Sequence, residues 1–444
     1  MIELVFSASD LAAIQSEFAA NETEHSAVAY ATRVLRDDGT IRLLVREIES
    51  PRLADYARKE PLHLELRPEF FARITKRAVR SRALIIFLHS HPGSNVPTFS
   101  STDSEGEIHL KAFFDRRHPL SEHATVVISA GGVRARRIGL TEQIRVISLG
   151  PIRQVLSNTD SSELSAPQMF DRQVRVFGKA GQRALRQLRI AIVGLGGTGS
   201  IVAQQLAHLG VRDFLLIDPD VLEVTNLNRV VGAIPDDVGK SKVQIAQRHI
   251  RAIATDASVR PIQDDVMRSA VARQLSNADL IFSCTDSHGS RFVIQQVSYQ
   301  FLVPCVDLGV TVIAPGGHIT DVWGRVQLLA PGLPCLTCQG LLDPKEVRRD
   351  MMTPFERKAD PYIQGEREPA PAVMSLNGTV SSLAVTMLLA IVAGVPSNAR
   401  HLLYNGLTSA LRTVAGVPQP NCFICSKDGA FAQGDARPLL ARQD

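Results

Sequence analysis

The stretch Leu188–Gly210, LRIAIVGLGGTGSIVAQQLAHLG, decides the fold. It opens on Arg189-Ile190-Ala191-Ile192-Val193, a short apolar run rich in β-branched residues, which reads as a buried parallel strand. Gly194-Leu195-Gly196-Gly197-Thr198-Gly199 follows at once, and then Ile201, Val202, Leu206 and Leu209 recur at helical spacing. Strand, glycine turn and helix make an anion cradle: the glycines let the backbone come close, and free amides at the helix start face a phosphate. The next strand pattern, Asp213–Ile217, runs into Asp218, about twenty residues on, where an acid can hold a ribose hydroxyl. This half of the chain is therefore expected to bind a nucleotide. The glycines alone do not say which, because dinucleotide oxidoreductases use the same loop.

Outward from that stretch the strand–loop–helix pattern repeats. Ser258–Ile262, Asp279–Cys284, Val303–Val312 and His318–Leu329 carry further strand patterns, and Phe170–Leu185 reads as helical after a polar start. The sum is an α/β, Rossmann-like doubly wound sheet. Asp343–Pro371 is polar, charged and proline-containing, as expected of a long mobile crossover loop. Upstream, Ser148–Pro167 has the serine-rich composition of a linker. The expected organisation is a domain over 1–150, a linker over 151–168, a nucleotide domain over 169–430 and a tail over 431–444. Within the first domain, His25–Leu35 and Ile41–Ile48 read as strands, Phe70–Arg82 as a basic helix, and Ala83–Leu88 as a buried strand. Thr125–Ser129 and Gly132–Ile138 read as a closing hairpin.

At 444 residues the chain is too long for one ordinary core, which agrees with two domains. A net charge of +4 is small for this length and makes no case for nucleic acid. The arginine clusters at Arg73–Arg82 and Arg134–Arg137 read as solvated faces. MIELVFSASDLAAIQ lacks the pattern of a signal peptide, and four of the six cysteines fall in two C-x-x-C pairs. Both features suit a reducing, cytoplasmic setting. Ser381–Val395 is strongly apolar, yet Ser375, Asn377, Gly378, Thr379, Ser381, Ser382 and Thr386 interrupt the segment. A buried core or dimer-interface helix is expected there, and no membrane contact.

Two groups of residues carry chemistry. His89 and His91 stand two apart at a strand end, so their rings share a face, and Asp103 follows a turn-rich loop. Two imidazoles and a carboxylate leave a fourth zinc position open, which is the catalytic pattern rather than the structural one. A further carboxylate must shuttle the proton of an activated water, and Glu24 is the candidate. The string His89-Ser90-His91-Pro92 to Ser100-Ser101-Thr102-Asp103 resembles the JAB/JAMM (MPN) metallopeptidases. These cleave after the terminal glycine of ubiquitin-like proteins or remove sulfur-carrier tails. The resemblance implies His89, His91 and Asp103 as zinc ligands, Ser100 beside the developing oxyanion, and Glu24 as general base in ETEHSAVAYA. The gap from His91 to Ser100 is one residue longer than the common pattern, and Glu22 competes with Glu24.

In the second half, Asp218-Pro219-Asp220 precedes Thr225-Asn226-Leu227-Asn228-Arg229 and Val238-Gly239-Lys240-Ser241-Lys242, and Cys284-Thr285-Asp286-Ser287 ends a later strand. A hydride-transfer site has no need of an arginine and a lysine on the phosphates, or of an acid at the next strand end. Splitting a triphosphate needs both, because cations neutralise charge and a carboxylate holds magnesium. From about Phe170 to Asp428 these spacings resemble the ThiF/MoeB-like adenylyltransferases of the ubiquitin-activating class. The resemblance implies that Gly194, Gly196, Gly197 and Gly199 cover ATP and that Asp218 takes the ribose. Asn226, Arg229 and Lys242 would bind phosphates and Asp286 Mg2+. Arg172 would reach across a two-fold axis into a neighbour's ATP, hence a homodimer. For Asn226 a turn residue is the alternative, and for Asp286 a helix cap.

Cys335-x-x-Cys338 and Cys422-x-x-Cys425 offer four thiolates for a closed structural Zn2+ site, with disulfides or a redox pair as alternatives. That leaves Cys284 and Cys305, both in apolar runs, and no cysteine in the crossover stretch Tyr362–Pro371. The expectation is an enzyme that stops at the acyl-adenylate, with Ser375 or Thr353 as weaker oxygen nucleophiles. The implied partner is a ubiquitin-like or sulfur-carrier β-grasp protein ending in glycine, with a conjugating enzyme or a sulfurtransferase downstream. A first domain that only docks the carrier is the competing reading.

Overall fold

The computed structural model describes residues 1–20, 23–60, 63–120, 122–157, 167–359 and 371–443. It forms two compact units. One comprises Met1–Glu163 with Ala430–Pro438, the other Leu164–Gly429 with Leu439–Asp444.

The first unit contains β1 (Ile2–Ser7), α1 (Ala8–Ala19), β2 (Ser26–Leu35), β3 (Ile41–Glu49), β4 (Tyr56–Glu60), β5 (His63–Leu66), α2 (Pro68–Ser81), β6 (Leu84–Ser90), α3 (Ser101–Arg117), β7 (Ala124–Ser129), β8 (Gly132–Arg137), β9 (Gln143–Leu149) and β10 (Arg153–Val155). Its main sheet runs β1-β3-β2-β6-β7-β8-β9-β10, and a parallel β1–β9 pairing closes it on itself. Strand periodicity sorts the core. Ala27, Ala29 and Ala31 of β2 and Leu84, Ile86 and Leu88 of β6 face one way, onto Leu11, Ile14 and Phe18 of α1. Val28, Tyr30 and Ile85 face the other way, onto Phe70, Ile74 and Ala78 of α2 and Phe114 of α3. Both faces are covered, so β2 and β6 read as near-continuous apolar runs.

Several expectations need correction here. The hairpin β7–β8 does not close the domain; β9 follows, pairing with β8 and β1. Part of the expected linker is structured, since Arg153–Val155 adds an antiparallel strand to β9; its residues 158–166 lie outside the described residues. The segment expected as a tail over 431–444 begins within the first unit, where Gly434 lies so close to β2 that a Cβ would fall 2.7 Å from Val34.

The second unit contains α4 (Asp171–Gln187), β11 (Arg189–Val193), α5 (Gly197–Leu209), β12 (Asp213–Ile217), α6 (Lys242–Ile253), β13 (Ser258–Ile262), α7 (Ser269–Gln274), β14 (Leu280–Ser283), α8 (His288–Gln300), β15 (Cys305–Ile313), β16 (Asp321–Leu329), α9 (Pro344–Met351), α10 (Pro354–Ala359), α11 (Met374–Val392), β17 (His401–Asn405) and β18 (Ala410–Thr413). The sheet order is β13-β12-β11-β14-β15-β16-β17-β18. The first five strands are parallel, as a doubly wound sheet requires, but β16, β17 and β18 run antiparallel. β11 lies at the centre, flanked by β12 and β14, and Ile190–Val193 are buried. At this central position the strand order reverses, which is where a doubly wound sheet opens its ligand crevice.

α11 is the helix long and apolar enough to cross a membrane among the described residues. In this unit it is a core element: Val380, Ala384, Leu388 and Ile391 join the cluster formed by α5 and the central strands. The expected crossover loop is partly helical, as α9 and α10. Its stretch 360–370, where a mobile loop is expected, lies outside the described residues.

Candidate functional site

Two sites emerge, one in each unit. In the first, β6 ends at Ser90, with His89 on its last turn of pleat and His91 just beyond. His89 shares the face of Ile85 and Phe87, so it points towards α3. The His91 amide donates to the Ile128 carbonyl of β7 at 3.0 Å, which fixes the strand end. Asp103 is the third residue of α3. Its carboxylate accepts from the Ser100 amide at 2.6 Å and from the Ser100 hydroxyl at 2.8 Å, while Ser100 Oγ accepts from the Asp103 amide. This is a capping box, and it sets the carboxylate facing the imidazoles.

His89 Nε2 lies 3.1 Å from Asp103 Oδ1 and His91 Nε2 lies 3.3 Å from Asp103 Oδ2. Tetrahedral zinc with bonds near 2.0 Å separates its ligands by roughly 3.3 Å. His89 is 8 % exposed, and its off-axis contact with Asp103 leaves neither ring nitrogen with a hydrogen-bond partner among the described residues. A buried orphan imidazole facing a carboxylate fits a cation. Burial pushes the Asp103 carboxyl up, but the two imidazoles and the Ser100 amide outweigh it and hold it far below its usual range. Glu24 and Ser100 line the same cavity, of about 860 Å³, which is walled by Leu64, Leu66, Phe71, Phe87 and Phe113. Glu22 lies outside the described residues.

In the second unit the glycine loop opens at Gly194, whose φ is +87° and whose Cβ would meet the Cys284 carbonyl at 2.8 Å. Gly199 meets the loop's own backbone: a Cβ there would fall 1.8 Å from the Gly194 carbonyl oxygen. These two positions admit only glycine. Gly196, by contrast, faces open space. Asp218, at the end of β12, is 4 % exposed and accepts from the Leu195 amide at 2.6 Å and the Asp220 amide at 2.9 Å. Its first task is thus to brace the glycine loop, a role that spacing alone did not show. Burial raises its carboxyl, against the opposing pull of Lys242 and the two amides.

Lys242 opens α6, and its Nζ pairs with Asp220 at 2.7 Å. Arg229 donates to the Thr225 carbonyl at 2.6 Å, and its Cδ lies 3.4 Å from where a Gly197 Cβ would stand. The glycine loop, Asp218, Lys242 and Arg229 are thereby brought to one sheet edge. Asn226 serves the turn: it is 7 % exposed, its side chain accepts from the Glu223 amide, and its carbonyl accepts from the Arg229 and Val230 amides. The turn-residue alternative describes what it does here. Asp286 follows β14, exposed, and the cap of α8 is Ser287, not Asp286. Arg172 stands exposed on the first turn of α4, and no contact among the described residues joins it to the others.

Burial pushes the Cys284 thiol up, and the Cys305 thiol well up, with the nearby Asp307 carboxylate adding to both. Neither is a ready nucleophile. Thr353 is occupied as a cap, donating to Glu356 at 2.8 Å, and Ser375 is exposed on α11 with no base beside it among the described residues. The four remaining cysteines are free thiols that meet in one cluster. Cys335 and Cys422 Sγ are 3.6 Å apart and Cys338 and Cys425 Sγ 3.4 Å apart. Neither distance is that of a disulfide, roughly 2.05 Å. Tetrahedral zinc–thiolate ligands stand roughly 3.8 Å apart, and all four sulfurs lie within 4.8 Å of one another. Amides of Cys338 and Gln419 donate to the sulfurs, as they do around metal-bound thiolates. Sequence reading missed Asn377, which α11 brings to the glycine loop; no motif marks it.

Comparison with known proteins bears on the second unit. A model of the ThiF family matches residues 170–424. A SAMP-activating enzyme E1 of Haloferax volcanii is 28 % identical over 254 residues, covering 57 % of this chain and 85 % of the relative. A molybdopterin-synthase adenylyltransferase of Escherichia coli is 27 % identical over 272 residues, covering 60 % of this chain and all of the relative. A ubiquitin-like modifier-activating enzyme 5 of Oryza sativa is 27 % identical over 259 residues, covering 54 % of this chain and 56 % of the relative. The family match takes in the glycine loop, Asp218, Arg229, Lys242, Asp286 and both ends of α11, more than half of the chain, and the chain belongs to the ThiF family.

Proposed function

We propose that the second unit adenylates the C-terminal glycine of a ubiquitin-like or sulfur-carrier β-grasp protein, and that the first unit hydrolyses a bond just after that glycine. The observation that carries the adenylation reading is that Arg229 reaches the start of α5 while Lys242 stands by Asp220 and Asp218, the brace of the glycine loop. The relatives, an adenylyltransferase and an activating enzyme, support it.

In this reading a glycine carboxylate oxygen attacks the α-phosphorus of ATP. The bond to the β-phosphate oxygen breaks, giving acyl-adenylate and pyrophosphate. Gly196 leaves the backbone open to the phosphates, and the first amides of α5 face them. Arg229 and Lys242 draw charge towards the leaving pyrophosphate, and Asp286 holds magnesium against it. Asp218 keeps a lone pair for a ribose hydroxyl while bracing Leu195. With Cys305 buried and the thiols of both Cys284 and Cys305 pushed up, the adenylate passes directly to an external acceptor, either a conjugating enzyme or a sulfurtransferase. A second copy supplies Arg172 across a two-fold axis.

In the first unit, His89, His91 and Asp103 hold zinc in a JAB/JAMM-like site. Bound there, zinc would supply Lewis acidity for the scissile carbonyl and lower the pKa of a water. Glu24 takes the proton and returns it to the leaving amine, and the Ser100 hydroxyl turns from the Asp103 carboxylate to donate to the developing oxyanion. Trimming must precede activation, so one chain matures and activates the same carrier. The whole acts in the cytoplasm, apart from nucleic acid and membrane.

The test is carrier-dependent ATP–pyrophosphate exchange by the purified chain, with mass spectrometry of a tailed precursor in the same tube. Exchange together with loss of the tail is expected. No AMP with any glycine-ended partner, and binding of a nicotinamide nucleotide instead, would overturn the adenylation reading.

The cysteine cluster gives a second expectation. Cys335→Ser leaves one zinc per chain where the wild type holds two. It also lowers stability by about 4 kcal/mol, because the buried ligand set loses its cation. Metal analysis and thermal unfolding read both effects.

A further inference from the structure

We propose that Asn377 of α11 is a nucleotide-contacting residue whose amide donates to a phosphate oxygen of bound ATP at the start of α5, an inference that rests on the ATP reading above. Asn377 is 5 % exposed, and its side chain has no hydrogen-bond partner among the described residues. An enclosed amide that the fold leaves without a partner keeps both of its donor hydrogens for a ligand that enters beside it.

Its position identifies that partner. The side-chain nitrogen of Asn377 stands 2.2 Å from where a Cβ on Gly197 would lie, and the Arg229 Cδ stands 3.4 Å from the same point. Gly197 is the first residue of α5, a helix of 13 residues whose leading amides have no partner within the helix. An amide donor and a helix start therefore meet at one point, both favouring an anion, with the cationic Arg229 side chain passing beside them. Gly197 lacks a side chain because Asn377 fills that space.

The placement is fixed rather than incidental. One turn further along α11, the Ser381 hydroxyl donates to the Thr198 carbonyl at 3.1 Å, and Gln205 of α5 donates to Ser382 Oγ at 2.8 Å. The two helices are thus pinned beside the glycine loop, and Asn377 inherits its aim from that register. Asparagine breaks the apolar pattern of α11 here, where Val380, Ala384 and Leu388 follow as core.

The experiment compares Asn377→Leu and Asn377→Asp with the wild-type full chain, by calorimetric titration of Mg-ATP and of adenosine, with thermal unfolding of the free proteins. Leucine keeps the branched shape and removes the donor; aspartate keeps the size and repels phosphate. Asn377→Leu is expected to unfold at or above the wild-type temperature, yet to bind Mg-ATP about tenfold more weakly. Asn377→Asp is expected to lose more, and adenosine affinity should stay unchanged in both. Wild-type Mg-ATP affinity in both variants would overturn the proposal, as would equal losses for ATP and adenosine, which mere support of the loop would give. A wild-type chain that binds no Mg-ATP would sink the adenylation reading and this proposal together, and that result is visible before any variant is made.

Discussion

Asp286→Asn is expected to cut carrier-dependent pyrophosphate exchange by about 10²–10³-fold while leaving the fold intact. The stability half follows from the structure. Asp286 is exposed in the turn after β14, and the neighbouring helix takes its cap from Ser287, which accepts from the Ser290 amide at 3.1 Å. Removing the carboxylate therefore costs no cap and no buried pair, and surface changes of this kind stay within about 0.5 kcal/mol. The activity half follows from charge. Arg229 and Lys242 supply two cations, each tethered to a carbonyl or a carboxylate: Thr225 at 2.6 Å and Asp220 at 2.7 Å. A triphosphate carries more negative charge than two tethered cations offset, and magnesium needs an anionic ligand at the strand end. Raising magnesium should restore part of the exchange in the asparagine variant, and a titration of rate against magnesium reads this directly. Near wild-type exchange in Asp286→Asn at low magnesium would remove Asp286 from the mechanism and return it to the surface.

What the sequence exposes is local. β11, the glycine turn and α5 are contiguous, and each carries its own signal: β-branched residues, clustered glycines and helical spacing. His89, His91 and Asp103 are likewise legible, because one strand end and one helix start deliver them within fifteen residues. What escapes is long-range. Ile2–Ser7 is only a short apolar run until it pairs with Ile41–Leu44 and Arg145–Leu149, partners far along the chain. The antiparallel turn of β16 to β18 is invisible for a similar reason, since alternation reports burial and not direction. Asp218 looked like a ribose ligand alone because its bond to Leu195 exists only once the loop folds back over β12. In the sequence Asn377 is only a polar break in an apolar segment. Its meaning came from Gly197, some 180 residues earlier. Ala430–Pro438 carries no pattern at all, and its place beside β2 is a matter of tertiary contact.

Glu24→Gln is expected to lower cleavage of a tailed carrier by about 10³-fold with zinc content unchanged. The strand register supports this assignment. β2 and β6 are antiparallel, with Ser26 opposite His89. Two residues back from Ser26 is Glu24, and two residues on from His89 is His91. The pairing continues past the strand ends, because the His25 amide donates to Ser90 Oγ and the Ser90 amide donates to the His25 carbonyl, both at 2.9 Å. Glu24 thus takes the parity of Ser26 and Val28, the face towards α2 and α3, and it lines the cavity that holds His89, His91 and Asp103. Glutamine keeps that shape and removes the base, so metal and fold should survive. Asp103→Asn makes the contrast. It strips a ligand and disturbs the capping box that orders the start of α3, so zinc, cleavage and about 1 kcal/mol of stability should fall together. Cleavage at the wild-type rate in Glu24→Gln would move the base elsewhere, with Glu22→Gln as the variant to read next. Loss of zinc in Glu24→Gln would instead make Glu24 a ligand. If His89→Ala loses zinc and the tail is still removed, the first unit is a docking module and not a peptidase.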